Sequence, residues 1–92
     1  MKYVTAQIKY EMMTENGIED TTIEYTFNGK GDVNVDVPAS VKKPLGEAVQ
    51  MFFKYLLDND IRFEDFDPSR IAFKTDIYDD EGLRYDIWFY VN

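Results

Sequence analysis

Residues 40–60, SVKKPLGEAVQMFFKYLLDND, decide what this chain can fold into. They form its one long stretch of helical periodicity, and they divide a strand-rich front from a strand-rich back. Ser40 can cap the helix, because its hydroxyl can accept from an unpaired first-turn N–H. Pro44 then falls in the first turn, where no intrahelical N–H is lost; a start at Lys43, with Pro44 as first helical residue, is the alternative. Leu45, Val49, Phe52 and Leu56 follow one face. Ala48, Met51, Phe53, Tyr55 and Leu57 widen it, and Glu47, Gln50, Lys54 and Asp58 crowd into a polar sector of about 80–100°. One sheet covers a helix on one side only. The extra width predicts a second cover, either a folded-over loop or another subunit. Gly46 weakens the helix by about 1 kcal/mol relative to Ala and suggests close approach by a strand.

The flanks read as strands. Val4, Ala6, Ile8, Tyr10 and Met12 alternate with Thr5, Gln7, Lys9 and Glu11; Ile23, Tyr25 and Phe27 alternate with Thr22, Glu24 and Thr26. Between them lies Asn16-Gly17, a strong hairpin signal, because both central positions of a type I′ turn need positive φ. Centred there, the turn pairs Tyr10 with Ile23, Ile8 with Tyr25, Ala6 with Phe27 and Lys9 with Glu24. Gly29-Lys30-Gly31 leads into a third alternating stretch, Val33, Val35 and Val37, which Pro38 ends. The expected register sets Glu24 against Asp36, a like-charge pair. This glycine-rich turn opens a strand, not a helix, and lacks the spacing of a phosphate-binding loop.

A last hairpin surrounds Asp79-Asp80-Glu81-Gly82. Gly82 as the positive-φ residue of a three-residue loop pairs Ile77 with Tyr85. A register shifted by two would instead match Lys74 with Asp86 and Asp76 with Arg84. The glycine argument prevails, since exposed charge pairs contribute only about 0.2–1 kcal/mol. Ile87-Trp88-Phe89-Tyr90-Val91 is apolar on both faces, the pattern of a strand covered twice or at the centre of a sheet. The expected architecture is one domain, residues 1–92, of the α+β class. It is a five-stranded antiparallel sheet, β-β-β-α-β-β in order 3-2-1-5-4, with one main helix on one face.

Composition narrows the function. The chain has no cysteine and no histidine. Disulfides, His/Cys zinc sites and His-assisted nucleophiles are excluded. Net charge is −8, and residues 58–92 hold ten acidic side chains against four basic ones. Direct binding to nucleic acid or to an anionic membrane needs the opposite sign. No apolar run reaches membrane length, so the expectation is a soluble cytoplasmic protein. Asp58-x-Asp60 opens like a calcium loop, but Arg62 stands at the third ligand position and Phe63 at the glycine turn. No catalytic, metal or cofactor site is expected, and the chain reads as a non-enzyme.

A binding module remains. Asp58, Asp60, Glu64, Asp65, Asp67, Asp79, Asp80 and Glu81 are the candidate contact carboxylates. Trp88 and Tyr90 are a candidate aromatic interface. In size, charge and α+β class the chain resembles the small acidic DNA-mimic inhibitors of phages and mobile elements, the Arn-like anti-restriction proteins. The resemblance is one of whole-chain character and assigns no residue. It implies a basic, nucleic-acid-binding protein as partner, in the host cytoplasm if the chain is phage-encoded. The alternative is a structural or regulatory module binding through its aromatic sheet face. A homodimer is also expected, from the wide helix face and the doubly apolar last strand.

Overall fold

The structure, a computed structural model, describes residues 3–28 and 38–92. Strands β1 (Tyr3–Thr14) and β2 (Gly17–Asn28) form a long hairpin. Helix α1 (Ala39–Asp58) follows, then a short 3₁₀ turn at Phe63–Asp65. Strands β3 (Phe73–Tyr78) and β4 (Arg84–Val91) close the chain. The described sheet has four antiparallel strands, not five, in the order β2-β1-β4-β3. The expected strand over 33–37, its Gly29-Lys30-Gly31 turn and the Glu24–Asp36 pair lie outside the described residues. The remaining order matches expectation, with the doubly apolar last strand inside the sheet.

Side-chain alternation puts one face of the sheet under the helix. Val4, Ala6, Ile8, Tyr85, Ile87, Phe89 and Val91 are buried there against Val41, Leu45, Ala48, Phe52 and Leu56. Phe52 is the centre of this layer. Its ring stacks on Phe89 at 4.9 Å and on Phe73 at 5.6 Å, and meets Phe66 at 6.2 Å. Among the described residues, the opposite sheet face carries no helix, which suits an antiparallel sheet with one solvated side.

The first hairpin differs from the expected register by two residues. Ile8 faces Ile23, Ala6 faces Tyr25, Val4 faces Phe27, and Tyr10 faces Thr21. The turn residues are Glu15 and Asn16. Positive φ falls on Gly17 alone, at 107°, so the type I′ turn is replaced by one that asks it of a single glycine. The Thr14 hydroxyl fixes this choice: it accepts from the Asn16 N–H at 3.2 Å and donates to the Gly17 carbonyl at 3.1 Å. A slip of two leaves every side chain on its own face, so alternation cannot distinguish the registers. Lys9 consequently reaches Asp20 (3.9 Å), while Glu24 accepts from Gln7 (3.3 Å).

The second hairpin follows the glycine argument. Ile77 faces Tyr85, Gly82 has φ 83°, and Asp79 N–H donates to the Leu83 carbonyl at 3.0 Å. The directly opposed Asp76 and Asp86 are bridged by Arg84, at 3.2 and 2.7 Å.

The helix starts one residue before Ser40. Pro38 is its N-cap, with no side-chain cap bond, and the Val41 N–H donates to the Pro38 carbonyl at 2.9 Å. Pro44 therefore stands in the second turn, where its missing N–H leaves the Ser40 carbonyl without its ordinary partner. Burial of the Pro44 ring in the core offsets that loss. The second cover of the helix is the folded-over loop: Phe63 packs on Phe53 at 6.1 Å, and Ile61 and Phe66 join the core edge. Among the described residues no strand approaches Gly46, since a Cβ there would meet nothing within 4 Å.

Candidate functional site

The eight candidate carboxylates do not form one surface. Helix α1 runs antiparallel to β3: Tyr55 stacks on Phe73 at 5.2 Å, and Lys43 reaches Asp80 at 3.8 Å. Residues 58–67 therefore cluster at the C-terminal end of the helix and residues 79–81 beside its N-terminal end. A helix of 20 residues separates them by about 30 Å.

At the helix end, most of the carboxylates shape the backbone. Asp58 pairs with Lys54 at 3.0 Å. Asp60 has φ 52° and ends the helix: its N–H donates to Leu57 at 3.3 Å, and the Ile61 N–H donates to Leu56 at 2.9 Å. These two bonds, with Ile61 beside Leu56, define a Schellman cap. The Asp58-x-Asp60 spacing is thus a helix stop. Among the described residues, no group of three or more His, Cys, Asp and Glu is placed to hold a metal ion. Asp65 accepts from the Arg62 N–H at 2.9 Å and closes the 3₁₀ turn. Asp67 accepts from the Ser69 N–H and hydroxyl at 2.9 and 2.7 Å, and these donors hold its carboxyl below the usual carboxylate range. Glu64 is exposed and takes no such part. Phe53, Leu56, Leu57, Asp60, Ile61 and Phe63 line a shallow apolar groove of about 450 Å³ here.

The other end is more acidic than the order of the chain suggests. The β1–β2 hairpin runs past β4, which pairs with β1 only as far as Tyr10. Its projecting tip holds Glu11, Glu15, Glu19 and Asp20, all exposed. The β3–β4 loop arrives beside it: Glu11, Met12, Ile18, Glu81, Gly82 and Leu83 line one shallow groove of about 380 Å³. Asp79 turns inward, accepting from the Glu81 and Leu83 N–H groups at 2.9 and 2.8 Å. The buried Tyr85 hydroxyl lies 3.5 Å from it; burial, then the Asp79 charge, pushes that phenol above its ordinary range. Asp80 and Glu81 point to solvent.

Glu11, Glu15, Glu19 and Asp20 are not among the contact carboxylates expected from the sequence. A count over residues 1–57 averages them with the basic residues near the helix start. The segment itself, EMMTENGIED, has four acidic residues and no basic one, and that was the available signal.

Trp88 and Tyr90 lie on the face of β4 turned away from α1, half-buried rather than exposed. Trp88 faces Gln7 on one side and Lys74 on the other, and the Lys74 ammonium sits 5.4 Å from its ring centre. Around them runs a matched charge ladder. Asp76 contacts Lys74 (3.3 Å) and Arg84, and Asp86 contacts Arg84. The neighbouring Asp86 carboxyl, with the Lys74 and Arg84 cations, holds Asp76 below the usual carboxylate range.

Among the described residues, no helix is long and apolar enough to cross a membrane. Comparison with known proteins finds no matching family model, no matching curated protein and no matching solved structure.

Proposed function

We propose that this chain is a non-enzymatic acidic binding protein that occupies the basic surface of a nuclease or other DNA-binding protein, as a mimic of nucleic acid. The observation that carries the reading is the meeting of two hairpin tips at one end of the molecule. Glu11, Glu15, Glu19, Asp20, Asp80 and Glu81 are all exposed there; Lys9 pairs with Asp20 and Lys43 with Asp80. Carboxylates held on paired strands and their turns present negative charge in a defined arrangement, which steers a basic partner and sets its register.

Magnitudes favour a local patch over a rod-like mimic. The molecule measures 44 × 23 × 22 Å. Duplex DNA of that length carries about 26 phosphate charges, while this chain carries a net −8. The mimicry thus concerns a short stretch of backbone at the hairpin end. A cytoplasmic partner fits this reading.

The test is a pull-down from cell extract with elution by a salt gradient, followed by competition with duplex DNA. Elution at moderate salt and displacement by DNA are the expected results. A partner that resists salt and ignores DNA would overturn mimicry. The aromatic sheet face around Trp88 and Tyr90 would then take its place.

A further inference from the structure

The outer edge of β3 is open among the described residues. β3 is a terminal strand of the described sheet, bonded only to β4. Asp79 and Leu83 form a hydrogen-bonded pair, and antiparallel ladders alternate. Phe73, Thr75 and Ile77 therefore direct their backbone groups at β4, and Lys74 and Asp76 direct theirs outward. Among the described residues no backbone group meets this edge.

The sequence of the edge is self-complementary about Thr75. Reading outward in both directions, Lys74 stands against Asp76 and Phe73 against Ile77. A two-fold axis at Thr75 sets Lys74 of one copy opposite Asp76 of the second, twice over. These are the residues whose N–H and C=O groups point outward, so the same register closes four backbone hydrogen bonds. The neighbouring two-fold registers fail: one opposes Lys74 to Lys74, the other Asp76 to Asp76, and like charges directly opposite are destabilising.

The helix layer supplies an independent observation. Met51 and Tyr55 remain 43% and 37% exposed, on the side of α1 that overlies β3. The Thr75 hydroxyl donates to the Met51 sulfur at 3.8 Å, so Met51 stands above the proposed axis. A perpendicular two-fold places both helices on the same sheet face, and the two copies' Met51 and Tyr55 cover one another there. Part of the over-wide helix face is thereby accounted for, beyond what the loop carrying Phe63 covers.

We propose that two copies of this chain associate through β3, antiparallel about Thr75, into one continuous sheet. The surface is separate from the acidic hairpin end, so the proposal does not depend on the proposed function. The test is sedimentation with a charge-swap design, using the full chain. The parent should be a dimer at micromolar concentration. Lys74→Asp alone sets Asp against Asp and Asp76→Lys alone sets Lys against Lys, so each should weaken self-association about tenfold or more. An equimolar mixture of the two variants restores both ion pairs and should form a heterodimer. Circular dichroism of each variant establishes that it is folded. A parent monomeric at high micromolar concentration, a dimer unaffected by either substitution, or two folded variants that ignore each other when mixed would each overturn the proposal.

Discussion

Asp60 shows how one residue can be misjudged from spacing. Two carboxylates two apart look like the opening of a cation loop, yet the backbone uses Asp60 as the left-handed residue that ends the helix, at φ 52°. Asp tolerates this conformation better than most residues, and glycine tolerates it without strain. Asp60→Gly should therefore raise stability by about 0.5–1 kcal/mol, the relief of left-handed strain less the added freedom of the unfolded chain. Asp60→Val should lower it by more than about 1 kcal/mol, because a β-branched residue is a genuine outlier there. Urea unfolding of the three proteins checks the order. Equal midpoints would show that the left-handed residue carries no strain. Asp65, Asp67 and Asp79 belong to the same class: each accepts nearby backbone N–H groups, so neutralising any of them disturbs a turn as well as removing charge.

The strands and the helix were legible from their periodicity, but agreement between signals did not guarantee the register: turn, alternation and charge pairing concurred on the first hairpin, and its register is two residues away. The last hairpin follows from Gly82, because one glycine with positive φ in a three-residue loop admits one register. The inside position of β4 follows from its two apolar faces. The first hairpin was legible in its faces but not its register, because the deciding contacts belong to the Thr14 hydroxyl and alternation is blind to a slip of two. The helix was legible in extent but not in its start, because burial of Pro44 lets the helix tolerate a proline one turn deeper than propensity allows. Gly46 gives the element-scale prediction. It lies mid-helix, and a methyl group there would meet nothing within 4 Å. Gly46→Ala should stabilise the protein by about 1 kcal/mol through helix propensity alone, read as a raised urea midpoint at unchanged slope. A destabilised variant would show that something does pack on that glycine.

At the scale of the molecule, the candidate site was half legible. The sequence shows an acidic C-terminal part. It does not show that this part divides between two ends about 30 Å apart, nor that residues 11–20 join one of them, because only strand pairing brings the two hairpin tips together. This division makes the docking surface testable without disturbing the fold. Glu15, Glu19, Asp80 and Glu81 at the hairpin end are exposed, and among the described residues no backbone N–H is bonded to their side chains. Asp58 and Glu64 are the comparable residues at the helix end. Changing the first four to Gln or Asn should keep the circular dichroism of the parent, slow association with the partner and flatten its salt dependence, since exposed charges act mainly on encounter. Each carboxylate contributes little alone, so the effect should grow roughly additively from single to quadruple variant. Asp58→Asn with Glu64→Gln should leave association close to the parent's. Stopped-flow measurements at two ionic strengths separate these outcomes. If the helix-end pair slows association and the hairpin-end quadruple does not, the acidic surface in use is the rim of the apolar groove at residues 53–63, and the partner must bring an apolar anchor as well as positive charge.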